Sequence, residues 1–184
     1  LASAYGKVIG EEARQRGKQI MLGPGMNIMR TPLNGRNFEY PGEDPFLSSR
    51  MVVNYIRAVQ AEDVSSCAKH FAANDQEWER GTINVEVDER ALREIYLRPF
   101  EAAVKEAGVR TVMSAYNKVR GQWCSENYYL LNKILKGEWG FKGLVMSDWN
   151  GTHSTRGAVL GGLDLEMGTE VLPYDRFFMA GAFR

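Results

Sequence analysis

The stretch GLVMSDWNGTHS, Gly143 to Ser154, passes from an apolar run directly into a carboxylate and an indole, Asp148 and Trp149. Similar mixtures recur elsewhere: Arg36 with Glu39, the pair Lys69-His70, then Asn74, Asp75, Gln76 and Glu77, and later Tyr116-Asn117. Charged side chains hold hydroxyl groups through strong hydrogen bonds, and flat aromatic rings offer apolar faces for stacking. Together they suit a polyhydroxyl ligand. A carboxylate that faces an anomeric carbon can act as the nucleophile of retaining glycoside hydrolysis. Neighbouring cations would lower its pKa and keep it ionised. Glu77 and Glu166 are further carboxylates in the same segments, and nothing in their spacing makes either a general acid.

Other chemistries fit less well. His70 and His153 are far apart, with no HExxH or CxxC pattern, so a metal site is not expected. GPGMN lacks both the Walker lysine spacing and GxGxxG, and no GxSxG marks a serine nucleophile. No cofactor is expected. Cys67 and Cys124 make neither a disulfide framework nor a metal pattern, and Cys67 reads as a buried free thiol. Lys plus Arg and Asp plus Glu both total 23, so no global field favours nucleic acid or an anionic membrane. No apolar run is long enough to span a bilayer, and no signal-peptide pattern appears. The sequence opens at Leu1 inside what already reads as a helix, so the compartment is left open.

The elements that must position these residues alternate. Helical spacing is expected over residues 1–16, 46–61, 88–107, 125–136 and 154–160, and strands over 18–22, 65–71, 110–116, 143–147 and 163–167. In the third helix Leu92, Ile95, Tyr96, Pro99 and Ala103 would share a stripe, Asp88 would cap the start and Pro99 would kink or break it. Ser125 would cap the fourth. Strand, crossover helix and strand at roughly 30–45-residue spacing imply parallel pairing. The expected class is therefore α/β, with one domain over residues 1–184. Five units are too few for a closed eight-stranded barrel of about 250 residues, so the sheet is open or the barrel incomplete.

In such a sheet every candidate falls after a strand, on one rim, with Asp164 and Glu166 after the last. Alone, each has a plainer reading. Asp148 could cap a helix, Lys69-His70 could be an exposed strand end, Arg36 and Glu39 a solvated pair, and Tyr116 and Trp149 core aromatics. Those readings lose force when all of them share a rim.

Five motifs in order, NGRNFEYPGEDP, CAKHFAANDQEWER, DERALREIYLRPFEAAV, VMSAYNKVRGQWCSEN and GEWGFKGLVMSDW, closely resemble the N-terminal barrel domain of glycoside hydrolase family 3, its β-glucosidases in particular. The resemblance runs from about residue 1 to 170. It implies parallel βα units of a (β/α)8 TIM-like barrel and a β-glucoside or oligosaccharide substrate. It implies that Asp148 is the nucleophile and that Arg36, Lys69 and His70 hold the sugar in the −1 subsite. Tyr116 would stand beside the nucleophile, with Trp149 as the tryptophan that follows it. The departures are specific. A further substrate-binding aspartate of the family belongs to a segment before Leu1, and the general acid/base usually comes from an α/β sandwich after the barrel. The loop KHFAANDQEWER has no second histidine, so the subgroup that uses an Asp-His pair on N-acetylglucosaminides is not expected.

The resulting expectation is a β-glucosidase-like fragment, completed by another domain or self-associated through its open sheet edges. The rival is a catalytically silent carbohydrate-binding fragment. A non-sugar α/β protein with coincidental motifs comes third.

Overall fold

The computed structural model describes residues 1–168 together with Phe178; the rest of the expected 1–184 domain lies outside the described residues. Helix α1 (Ala2–Gln15) leads to strand β1 (Ile20–Met21) through Gly17, whose φ of 66° is one that glycine adopts without strain. Helix α2 (Pro45–Ala61) starts where Asp44 accepts a 2.6 Å hydrogen bond from the Leu47 amide, with proline in the first turn. It packs closely on α1. A Cβ at Gly6 would stand 2.6 Å from the Tyr55 carbonyl oxygen, so this approach needs glycine.

Strand β2 (Ser65–Phe71) matches its expected bounds, and the short strand β3 (Asn84–Val85) follows. Asp88 caps α3 (Glu89–Ala91) through the Ala91 amide at 2.8 Å, as its position suggests. The chain then widens into a π turn, Leu92–Tyr96, before α4 (Arg98–Lys105), which begins beside Pro99. Here the expected stripe is wrong in one member. The Leu97 amide bonds back to the Leu92 carbonyl, five residues away, so Leu92 and Leu97 are both fully buried while Ile95 is 38% exposed. An α-helical period cannot anticipate that shift of phase. Leu97→Ala should therefore cost about 2–5 kcal/mol and Ile95→Ala about 0.5 kcal/mol, both read from urea unfolding followed by circular dichroism. Equal costs would contradict the π register.

Strand β4 (Thr111–Ser114) is followed by β5 (Lys118–Val119) and β6 (Gln122–Trp123), which with β3 form a small second sheet in the order β3-β5-β6. The fourth expected helix is a π-helix, Tyr129–Glu138, capped not by Ser125 but by Asn127, whose Oδ1 accepts from the Leu130 amide at 3.1 Å. Ser125 instead donates its hydroxyl to the Gly151 carbonyl at 2.5 Å. Strand β7 (Leu144–Ser147) and helix α5 (Thr155–Gly161), capped by Ser154, come last. The expected strand at 163–167 reduces to one parallel bridge between Leu165 and Met146.

The main sheet is parallel throughout, in the order β1-β2-β4-β7. These are consecutive βα units of a TIM-like barrel, an incomplete arc. Register fixes the two faces. Ala68, Val112 and Val145 lie side by side and join the large core under the helices, whereas Lys69, Met113 and Met146 line up on the inner face. Cys67 also points inward, against Met146 at 3.7 Å between sulfurs. It is a buried free thiol, and burial pushes its pKa up to about 12.

Candidate active site

Parallel pairing brings the carboxyl ends of β2, β4 and β7 to one rim. Two residues beyond Met146, Asp148 continues the inner face, and it is only 6% exposed. One carboxylate oxygen accepts the Trp149 amide at 2.8 Å, and the Tyr116 hydroxyl bonds the same carboxylate. Its other oxygen, Oδ2, lies 3.5 Å from Nε2 of His70.

Between Lys69 and Phe71 the β2–β4 register slips, and both the Lys69–His70 and Phe71–Ala72 peptides are cis. Asn27 takes over the backbone of His70: its Oδ1 accepts from the His70 amide at 2.8 Å and its Nδ2 donates to the His70 carbonyl at 2.9 Å. The imidazole is almost fully buried. Burial, and then the charges of Arg36, Lys69 and Arg80, hold its pKa well below the usual histidine range. His70 is therefore neutral, and its 3.5 Å contact with Asp148 is not an ion pair. Its other ring nitrogen, Nδ1, lies 3.5 Å from the Tyr40 hydroxyl.

All six residues singled out from the sequence line one cavity of about 240 Å³: Arg36, Lys69, His70, Tyr116, Asp148 and Trp149. Arg80 and Met113 complete its wall. Sequence reading missed both, although the E-x-x-R spacing of Glu77 and Arg80 was a visible signal for the first. The cations form an alternating chain with two carboxylates. Lys69 Nζ is 3.9 Å from Glu39, which also accepts from Arg36 Nε at 2.5 Å. Arg36 Nη1 lies 4.0 Å from Glu77, and Glu77 accepts from Arg80 at 2.6 Å. The Arg80 guanidinium in turn covers the Tyr116 ring at 4.4 Å. Arg36 is thus built into the wall with Glu39 held behind it, their side chains only 17% and 22% exposed.

One electrostatic expectation is reversed. The Asp148 pKa is raised, because burial outweighs the Trp149 amide, the Tyr116 hydroxyl and the charges of Arg36 and Arg80, all of which pull it down. Asp164 also departs from the rim: it bonds Lys136 at 2.9 Å and the Val145 amide at 2.9 Å, toward the start of β7. Glu166 accepts from the Phe178 amide at 2.9 Å. Asn74 and Asp75 line a separate polar cleft of about 360 Å³, where burial pushes Asp75 up to about 7. Among the described residues, no group of three or more His, Cys, Asp or Glu could hold a metal ion, and no helix is long and apolar enough to cross a membrane.

The profile of the glycosyl hydrolase family 3 N-terminal domain matches residues 1–163. The chain belongs to glycosyl hydrolase family 3. Family 3 relatives at high identity carry the name β-glucosidase. Beta-glucosidase BoGH3A of Bacteroides ovatus is 55% identical over 169 residues, which is 92% of this chain and 23% of that protein. Thermostable beta-glucosidase B of Acetivibrio thermocellus is 52% identical, over 92% of this chain and 22% of its own length. The solved structure of beta-glucosidase 3B from Thermotoga neapolitana in complex with glucose superposes with a TM-score of 0.94 at 47% identity, covering 99% of this chain and 26% of that one. The chain thus spans about a quarter of the length of the family 3 proteins it matches.

Proposed function

We propose that this chain carries the glycone site and the nucleophile of a retaining β-glucosidase. One observation supports this above the rest: a buried carboxylate, Asp148, closes a cavity whose other walls are three cations, a neutral histidine, a tyrosine, an indole and one methionine. A cavity of about 240 Å³ is below the ~300–1,000 Å³ typical of larger ligand sites and suits one sugar ring. The names of the relatives and the glucose bound in the Thermotoga enzyme point to a terminal β-D-glucosyl unit.

In this reading Arg36, Lys69 and His70 fix the ring through its hydroxyls, while Trp149 walls the side where the aglycone departs. An Asp148 oxygen attacks the anomeric carbon as the glycosidic C–O bond breaks, giving a glycosyl ester. Water then attacks that carbon and releases glucose. Tyr116 and the Trp149 amide hold the carboxylate while it is free. Departure of an alkoxide needs a proton, and retaining chemistry wants a second carboxyl ~5–5.5 Å away. Among the described residues Asp148 is the one carboxylate lining the cavity, so we assign the acid to another part of the polypeptide or to a second chain. The same observation favours the rival reading, a sugar-binding piece that is silent alone.

Incubation with a dinitrophenyl 2-deoxy-2-fluoro-β-glucoside, followed by peptide mass spectrometry, tests the proposal. The expected adduct is on Asp148. Label on another carboxylate removes Asp148 from the role, and glucose binding without label supports the silent fragment.

We also propose that the chain self-associates or is completed by another segment. Among the described residues β1 pairs on one side only, next to a cleft of about 460 Å³ lined by Tyr5, Met21, Phe38 and Tyr55. Light scattering at high concentration should report a mass above 20.8 kDa. A clean monomer would contradict this.

A further inference from the structure

We infer that Glu77 is a positioning residue: it locks the Arg80 guanidinium into the cavity wall, offsets the charge of Arg36, and so sets the field at Asp148. Glu77 does not itself line the cavity. Its carboxylate meets the two cations, with Oε2 accepting from Arg80 Nη1 at 2.6 Å and Oε1 standing 4.0 Å from Arg36 Nη1. Oε1 is sealed from solvent and has no hydrogen bond among the described residues, so nothing competes with Arg36 for it. The backbone is anchored as well, since the Glu77 amide donates to the Asn34 carbonyl at 3.2 Å. The Glu77 stem packs beside Gly35, where a Cβ would lie 3.2 Å from its Cγ. One side chain thus ties the loop after β2 to the loop after β1.

Its effect passes to Asp148 by two routes. Arg80 lies over the Tyr116 ring, and Tyr116 bonds Asp148. Arg36 acts on Asp148 through space. The other groups facing Asp148 are Lys69, His70 and Cys67 from β2 and the amide of Trp149, with Glu39 and Tyr40 behind them on the loop after β1. The charged chain of Lys69, Arg36 and Arg80 against Glu39 and Glu77 holds three cations and two carboxylates, a net charge of +1. Without the Glu77 charge it becomes +2. Arg36 would still be held by Glu39, and Arg80 would still lie on Tyr116, so both cations would remain near Asp148 with less of their charge cancelled.

The test uses the folded chain and needs no catalysis. Carboxyl 13C NMR follows the titration of Asp148, assigned by Asp148→Asn, and 15N NMR follows rotation of the Arg36 and Arg80 guanidinium groups. In Glu77→Gln the Asp148 midpoint should fall by about 0.5–1 unit, and the Arg80 signals should average. A merely structural loss would loosen the loop, let the cations drift and raise the midpoint. Glu77→Asp keeps the charge but not the reach, so it should free Arg80 with the midpoint close to the parent's. That variant carries the test if Glu77→Gln does not fold. Hindered rotation of the Arg80 guanidinium retained in either variant, or an unmoved or raised midpoint in Glu77→Gln, overturns the inference. The importance of Glu77 for catalysis rests on the nucleophile reading. Failure of the parent chain to form the Asp148 adduct counts against that reading and leaves the NMR result standing.

Discussion

Asp148→Ala abolishes adduct formation and leaves a chain at least as stable as its parent. The loss should be on the order of 10⁴-fold or more, because a nucleophile has no substitute in the step that forms the glycosyl ester. Stability should hold for a different reason. Burial raises the Asp148 pKa, so the folded state disfavours the very charge that catalysis uses, and removing it relieves that cost. The same direction gives a pH dependence. Attack needs the ionised carboxylate, so the labelling rate of the parent should fall as pH drops through a midpoint above the ordinary Asp value of ~3.9. Peptide mass spectrometry and thermal unfolding read the two halves. Adduct formation at the parent's rate in the alanine variant would sink the nucleophile assignment, and a midpoint below the ordinary value would contradict the electrostatics.

The second large effect is selectivity for the leaving group. General acid assistance is worth ~10²–10⁴-fold, and the cavity holds no carboxyl besides Asp148 among the described residues. A dinitrophenolate departs without a proton, whereas the glucose leaving cellobiose needs one. The isolated chain should therefore favour the dinitrophenyl β-glucoside over cellobiose by about that factor beyond the intrinsic difference in reactivity. Breakdown of the ester should be slow without a base, giving a burst of phenolate followed by a low steady rate. Parity between the two substrates would mean that an acid is already present in this chain.

Much of this was legible from sequence, for identifiable reasons. Ser65–Phe71 stands between the helical spacing of residues 46–61 and the long polar stretch after Phe71, and its bounds follow. Asp88 sits where a helix must begin, and it caps one. The six cavity residues could be gathered because parallel strands put all their carboxyl ends on one side. What escaped had no local signature. The π turn at Leu92–Tyr96 replaces the 3.6-residue period on which amphipathic patterns are read. Strands of two residues, as in β3, β5 and β6, are too short to alternate visibly. Residues 163–167 look like a strand, which would put Asp164 on the rim, yet Lys136 and the Val145 amide hold it near the opposite end. The raised pKa of Asp148 depends on how deeply the fold buries it, which its cationic neighbours in sequence do not reveal.

The register slip at the end of β2 bears on any attempt to graft this site onto another scaffold. A regular strand sends successive side chains to opposite faces, so a transplanted Lys-His dipeptide would deliver one of the two and bury the other. Here both reach the same cavity because the ladder slips by one residue and Asn27 takes over the hydrogen bonds of the His70 backbone. The portable unit is therefore Asn27, Lys69, His70 and the irregular backbone between them. A designer who copied the cavity-lining residues alone would recover their chemistry without their geometry.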